Sequence, residues 1–339
     1  MDKITLVHRD LFSCEAIVRK LSDDTLFLLA QCGGVWEPST DNRVVAFKSV
    51  DGEVWSKPVD ICEQNGRATY VSDIAVEGDK ITAYILEHDG NFLAPRLYTR
   101  VSLDGGNSWT TEPVPYFHED EFVLFRGTVF LPSGKKMIAY QHYPISAEES
   151  ISLIREGKNI LNSSLPAVNC GTLILDGEKI TKSNDIKIYN TYAEKRLWQW
   201  PEPTFAVLKD GTYAMLLRVN GAGALYRSDS ADGTVWSEPY RTDIPNPNNK
   251  PKLLNLENGA IALINTPNAS VGFKYRNPLE IWISTDDMRT WEYRKKVLDF
   301  PGWLSYPDGF ADGNRIRFSF EVNRHDVYYA DCDVSDYLK

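Results

Sequence analysis

Six positions in this 339-residue chain join reactive side chains to a common spacing. Apolar stretches are each broken by a tight turn, at Asp24, Gly78, Gly134, Gly211, Gly259 and Gly313. Counting back seven to ten residues from each turn reaches Cys14 or Glu15, Thr69 or Tyr70, Arg126, Glu202, Lys250 and Tyr306. A packed strand interior would carry Val or Ala at such places, so charged and aromatic residues there need a reason. Guanidinium and ammonium groups suit an anion, and carboxylates beside a phenol suit proton transfer.

The elements that must hold these residues follow from two repeats. The turns lie 54, 56, 77, 48 and 54 residues apart, and each reads as strand, turn, strand, as in Ala206–Leu217 and Leu253–Ile264. A second motif runs in step. Its fullest copy is Ser102-Leu-Asp104-Gly-Gly-Asn-Ser-Trp109; Ser284 to Trp291 keeps the spacing, and Ser49 to Trp55 and Ser230 to Trp236 are one residue shorter. Its residues make a hairpin turn: Asp caps it, Gly takes a positive φ, and Trp packs back between sheets. The motif is therefore a fold marker rather than an active site. Six four-stranded units fill the chain and predict an all-β, six-bladed β-propeller, a single domain over 1–339. The 77-residue interval holds an insertion. Ser146-Ala-Glu-Glu149 is a capping box ahead of Ile151, Leu153 and Ile154, which predicts one short helix near 146–157. That helix suits a lid or a dimer contact, or is simply a surface ornament.

Composition narrows the function. With 47 acidic against 37 basic residues the net charge is −10, which argues against nucleic acid or an anionic membrane as partner. No apolar run reaches the roughly 18 residues of a membrane helix, and the first residues lack the apolar core of a signal peptide, so the expected location is cytoplasmic. Five scattered cysteines with no CxxC pair fit reduced thiols. No phosphate-binding, dinucleotide or zinc-hydrolase motif is present, and no cofactor or metal is implied. His118-Glu-Asp-Glu121 reads as a solvated acidic loop. Nine Trp and 17 Tyr are ordinary for a sugar-binding β protein; Trp36, Trp198, Trp200 and Trp303 flank the reactive positions and suit stacking on sugar faces.

The four Ser-x-Asp motifs, the Trp-Ser-x-Pro tails (Trp55 to Pro58, Trp236 to Pro239) and Ile244-Pro-Asn-Pro-Asn resemble the sialidase (neuraminidase) superfamily of Asp-box propellers over essentially the whole chain. The resemblance implies roles. Glu202, sixteen residues before Arg218, stands where the family has the carboxylate that activates a tyrosine, and Arg218 where it has a carboxylate-binding arginine. Arg276, in Tyr275-Arg-Asn-Pro-Leu, is similar to a second clamp arginine, Tyr306 to the nucleophile, and Asp41 to the general acid/base. The chemistry explains these types. A 2-keto sugar carries a carboxylate on its anomeric carbon, so an anionic nucleophile would be repelled, whereas a neutral tyrosine polarised by a glutamate is not. Asp41 must be protonated as the leaving oxygen departs, which predicts burial or neighbouring carboxylates.

The chain departs from the family at one point. Sialidases carry Arg-Ile-Pro on the first inner strand; here the segment is Ser13-Cys14-Glu15-Ala16, and the first clamp arginine is missing. Glu15 would repel a carboxylate, and Arg67 and Arg126 are candidate substitutes from neighbouring blades. The resemblance implies a sialidase-like glycoside hydrolase releasing an acidic sugar from a small glycoside or oligosaccharide, with Arg218, Arg276, Arg126, Glu15 and Trp200 contacting substrate. The alternatives are a lyase or glycosidase of a uronate- or rhamnose-containing glycan, or a non-catalytic carbohydrate-binding propeller. A homo-oligomer is compatible with either.

Overall fold

The computed structural model describes residues 2–158, 168–187 and 201–338. Six antiparallel sheets succeed one another along the chain. Blade 1 begins with the inner strand Ser13–Lys20, blade 2 with Ala68–Glu77 and blade 3 with Phe122–Phe130; blades 4, 5 and 6 begin with Pro203–Val207, Lys252–Asn255 and Leu304–Asp312. Each inner strand pairs only with the second strand of its own blade, and the third and fourth follow outward in chain order. The expected six-bladed propeller is therefore present.

Blade 6 is completed by the other end of the chain. The strand Lys3–Arg9 pairs antiparallel with Asp326–Asp333, so residues at the start of the sequence form the outermost strand of the last blade. No local pattern in Lys3–Arg9 announces this, because strand pairing over more than 300 residues is set by closure of the ring. The core shows the same closure. Buried apolar side chains fall into six clusters among the described residues, one between each pair of adjacent blades, including Val18 and Phe47 of blade 1 against Val327 and Tyr329 of blade 6.

The Ser-x-Asp turns do the structural work expected of them. In the second copy, Asp104 Oδ1 accepts from the backbone N–H of Asn107 and Ser108 at 3.0 and 2.9 Å, and Ser102 Oγ accepts from Gly106 at 2.7 Å. Gly52 of the first copy has φ 73°, and a Cβ there would stand 2.6 Å from the Tyr329 ring of blade 6. Trp55 meets the same ring edge-on at 5.5 Å. The motif thus locks one blade to the next, which requires the glycine's missing side chain.

Antiparallel strands fix the two faces of the ring. Inner strands start on one face, and the connections from second to third strand return to that face. The turns after the first and third strands, including all four Ser-x-Asp motifs, lie on the opposite face. The inserted helix, Ala147–Arg155, belongs to a second-to-third connection, in blade 3, and so stands on the face where inner strands begin. Ser146 caps it through Glu149 N–H and Glu149 returns the bond to Ser146 N–H. Ile151 and Ile154 are exposed, while Leu153 packs on the blade 2–3 cluster. No helix among the described residues is long and apolar enough to cross a membrane.

Candidate active site

The reactive positions counted from the sequence meet at the centre of the ring, one from each blade. Tyr70 donates its hydroxyl hydrogen bond to Glu15 Oε1, and Arg126 Nη1 stands 3.0 Å from the same oxygen. Lys250 Nζ donates to Glu15 Oε2 at 2.8 Å. Arg126 also donates from Nη2 to the Tyr70 hydroxyl at 3.0 Å and lies 3.8 Å from Glu202. Lys250 Nζ sits 5.5 Å from the centre of the Tyr306 ring. All of these side chains are buried except that of Tyr306, which is half-buried.

Bulges aim several of these residues inward. The inner strands of blades 1, 2, 3 and 6 lose register between Cys14 and Ile17, Val71 and Asp73, Phe125 and Thr128, and Ser305 and Asp308. Glu15 and Tyr306 occupy two of these bulges with φ of 48° and 54°. Bulky residues in the left-handed region are costly by on the order of 1 kcal/mol, and bulges recur next to active sites, where they re-aim a side chain. The bulge is what lets a strand that is otherwise alternating turn a charged residue towards the axis.

A second ring of residues comes from the second-to-third connections on the same face. Arg218 follows the second strand of blade 4. Its Nη1 donates both to Glu202 Oε2 at 2.8 Å and to the Tyr306 hydroxyl at 3.0 Å, so the guanidinium bridges the carboxylate and the phenol. The resemblance implies that Glu202 activates Tyr306; here Arg218 bridges the two. Glu202 Oε1 is buried and accepts no hydrogen bond among the described residues. Burial and the neighbouring Glu202 carboxylate push the Tyr306 phenol above its ordinary value, against Arg218 and Arg276, so it is neutral near pH 7.

Arg276 comes from blade 5, after the turn Phe273–Tyr275. Its Nη1 donates to Ser305 Oγ at 3.0 Å and its Nη2 to the Asn248 carbonyl at 2.5 Å. The guanidinium lies 4.3 Å over the Phe273 ring and 5.4 Å from the Tyr306 ring. It is 2% exposed, forms no ion pair among the described residues, and leaves Nε without an acceptor. Burial lowers its pKa to about 10. The Asn-Pro-Asn run has its use here: Asn248 supplies that carbonyl, and Asn249 Oδ1 accepts from Tyr306 N–H at 3.3 Å.

The remaining expectations divide. Cys14 is fully buried, bonded to Gln31 Oε1 at 3.0 Å, and burial raises its thiol far from ionisation, so it provides neither charge nor nucleophile. Glu15 is not a bare anion facing substrate: burial works against its ionisation, yet Arg126 and Lys250 outweigh that and hold its pKa down. Arg67 pairs with Glu87 at 2.6 Å and with the Ala94 carbonyl, away from the axis. Asp41 is exposed rather than buried. It lines a surface cleft of about 470 Å³ with Arg43 and Arg67, and its N–H bonds Ser39 Oγ at 3.3 Å. Trp198 and Trp200 lie outside the described residues. Three charged residues that sequence reasoning passed over join the site: Glu37, Glu321 and Arg324. The one signal for Glu321 was an acid at the end of the apolar run Phe318-Ser-Phe-Glu-Val322.

With this geometry in view, comparison with known proteins is informative. A BNR repeat-like domain matches residues 182–317. Among solved structures the chain is similar to the Hadza microbial sialidase Hz136 (TM-score 0.72, 15% identity, 97% of this chain and 67% of the other). It is similar also to Trypanosoma rangeli sialidase (TM-score 0.64, 11% identity, 96% and 55%) and to NanB sialidase from Streptococcus pneumoniae (TM-score 0.68, 14% identity, 97% and 69%). This chain thus spans little more than half the length of the trypanosomal enzyme. No curated protein matches the sequence. The chain takes the six-bladed fold of these sialidases, and its residues 182–317 match a BNR repeat-like domain.

Proposed function

We propose that the protein is a glycoside hydrolase of the sialidase type, acting on a small glycoside of an acidic sugar. The observation that carries this reading is Arg276. A guanidinium buried without a counter-carboxylate, beside a neutral phenol, lacks only an anion to complete its surroundings. A sugar carboxylate held there sets its anomeric carbon near Tyr306. In this reading the phenolic oxygen attacks that carbon and its proton passes to Glu202, whose Oε1 accepts no hydrogen bond among the described residues. The resemblance gives the proton for the leaving oxygen to Asp41, an exposed carboxylate of the loop 33–42 engaged in no ion pair among the described residues. Water then displaces the tyrosine, giving its proton to Asp41 while Tyr306 recovers its own from Glu202. Arg218, bonded to both Glu202 and Tyr306, stabilises the charge that moves between them.

A panel of aryl glycosides, comprising sialic acid, other sugar acids and neutral sugars, tests the reading. Turnover confined to acidic glycosides, reduced at least about a hundredfold with weaker binding in Arg276→Ala, is expected from loss of a charge-assisted contact. Turnover of neutral glycosides alone contradicts the mechanism. Release of an unsaturated product from a uronate oligosaccharide would instead identify a lyase.

A further inference from the structure

The family's first clamp arginine is absent from position 14, yet the space it would face is not left without a cation. Glu37 Oε1 lies 3.7 Å from Cys14 Sγ, and Glu37 Oε2 is ion-paired with Arg324 Nη2. One carboxylate therefore touches both residue 14 and a guanidinium from the far end of the chain. Arg324 Nε stands 3.9 Å from Glu321 Oε1, and its guanidinium lies 5.0 Å from the centre of the Phe12 ring, on the strand side of residue 14.

The surroundings of Arg324 are unfinished. Among the described residues its Nε, the Gln31 amide Nε2, Arg276 Nε and both carboxylate oxygens of Glu321 are buried without hydrogen-bond partners. Such orphaned groups cost about 1–3 kcal/mol each and are rare in packed protein. Gln31 bonds Cys14 through its amide oxygen, and the Glu321 carboxyl is acted on by the charges of both Arg324 and Arg276. The backbone points the same way. Arg324 sits in the hairpin turn after Arg315–Val322 with φ 58°, next to Asn323 at 55°. Asn is at home there; a long, branched-polar Arg in the second position is not, and glycine would be the ordinary choice. The turn belongs to a second-to-third connection, the same class of loop that delivers Arg218 and Arg276. Arg324 also lines a cleft of about 710 Å³ walled by Trp36 and Trp303, and its side chain is 14% exposed.

We propose that Arg324, delivered from blade 6 and held over Cys14 by Glu37, is the third cation of the carboxylate clamp, standing in for the arginine missing from the first inner strand. This rests on the acidic-sugar reading above. The clamp has been moved from the inner end of blade 1 to a hairpin of blade 6, while Cys14 gives up the volume the relocated guanidinium uses.

The test is the preference for a sugar acid over its methyl ester, which removes the charge and keeps the shape. N-acetylneuraminic acid, glucuronic acid and their methyl esters are titrated calorimetrically into wild type and variants. Wild type prefers one acid to its ester, Arg324→Met lowers that ratio about tenfold or more, and Cys14→Arg/Arg324→Met restores it by returning a guanidinium to the first strand. Arg324→Lys, which keeps the charge beside Glu37 and Glu321 and so keeps the fold, lowers the ratio severalfold at an unchanged melting temperature. Loss of the preference in Arg276→Ala, with the ratio unchanged in both Arg324 variants, overturns the assignment and leaves the acidic-sugar reading standing. No preference in wild type overturns that reading and the assignment with it.

Discussion

The centre of this propeller has two concentric sets of charges, and they are satisfied very differently. The inner set, from the starts of the inner strands and the strand below them, is closed but for Glu202 Oε1, which accepts no hydrogen bond among the described residues. Glu15 is met by Tyr70, Arg126 and Lys250; Asp308 is met by Lys252 at 3.1 Å and Arg19 at 2.8 Å. The outer set, from the second-to-third connections and the end of the second strand of blade 6, is met only in part: Arg218 pairs with Glu202 and Arg324 with Glu37. Among the described residues Arg276 has no ion pair and Glu321 accepts no hydrogen bond. Buried ion pairs that satisfy each other specify structure, whereas buried groups left unsatisfied are tolerated where a ligand or a reaction completes them. Blade ends hold the ring together through the inner set, and the loops present the outer set to substrate.

Removing one partner from each set should break this comparison most sharply. Glu15→Ala removes the nearest carboxylate from Arg126 and Lys250, leaving them only Glu202 at 3.8 Å and Asp308 at 3.7 Å, and should destabilise by about 3–5 kcal/mol in chemical denaturation. Arg276→Ala removes a buried cation that has no counter-charge, so its stability should stay within about 1 kcal/mol of wild type or rise, even as acid binding is lost. Equal losses in the two variants would mean that Arg276 is structural.

Titration separates the sets with opposite signs. Burial, against Arg324 and Arg276, raises the Glu321 carboxyl to about 7. A carboxyl with a folded pKa above its unfolded value of 4.5 binds the proton more tightly when folded. Its contribution to stability therefore falls as pH rises from about 4.5 to about 7 and stays lost above that. Glu321→Gln should flatten this slope and stabilise the protein at pH 8 by on the order of 3 kcal/mol relative to wild type. Asp308 behaves in the opposite way. Burial opposes its ionisation, but Lys252, Arg19 and Lys250 depress its pKa well below 3.8, so the stability it provides is present above that pH and is lost in acid. A Glu321→Gln protein with an unaltered slope between pH 4.5 and 7 would remove Glu321 from the outer set.

Much of the inner set was legible in the sequence because it repeats. Glu15, Tyr70, Arg126, Glu202, Lys250 and Tyr306 each precede a strand turn at nearly the same distance, and a propeller converts equal spacing into convergence on one axis. Arg218 and Arg276 needed the family resemblance, because loops between second and third strands vary in length and carry no period. Arg324 and Glu37 were not legible at all: their importance depends on a ring closed by Lys3–Arg9, which brings the last blade beside the first. Even the bulges at Glu15 and Tyr306 are invisible to a pattern of alternating residues, since a bulge appears only when two strands are paired.

The smallest effect belongs to the far face. Asp104→Ala removes the acceptor for two backbone N–H groups in an exposed turn remote from the site. It should lower Tm by a few degrees at most and leave sugar binding unchanged. A change in ligand affinity there would contradict the division of labour between the two faces.

The central claim is that Tyr306 attacks the sugar and that the charges around it exist to support the attack. Tyr306→Phe keeps the ring that packs beside Arg276 and Lys250 and removes only the hydroxyl bonded to Arg218. The decisive measurement is kcat for the best acidic aryl glycoside, together with Kd for the free sugar acid, in wild type and Tyr306→Phe. The account predicts a loss of at least about a thousandfold in kcat with Kd changed less than about threefold. A variant that retains its turnover, or that loses affinity and turnover in equal measure, would contradict it.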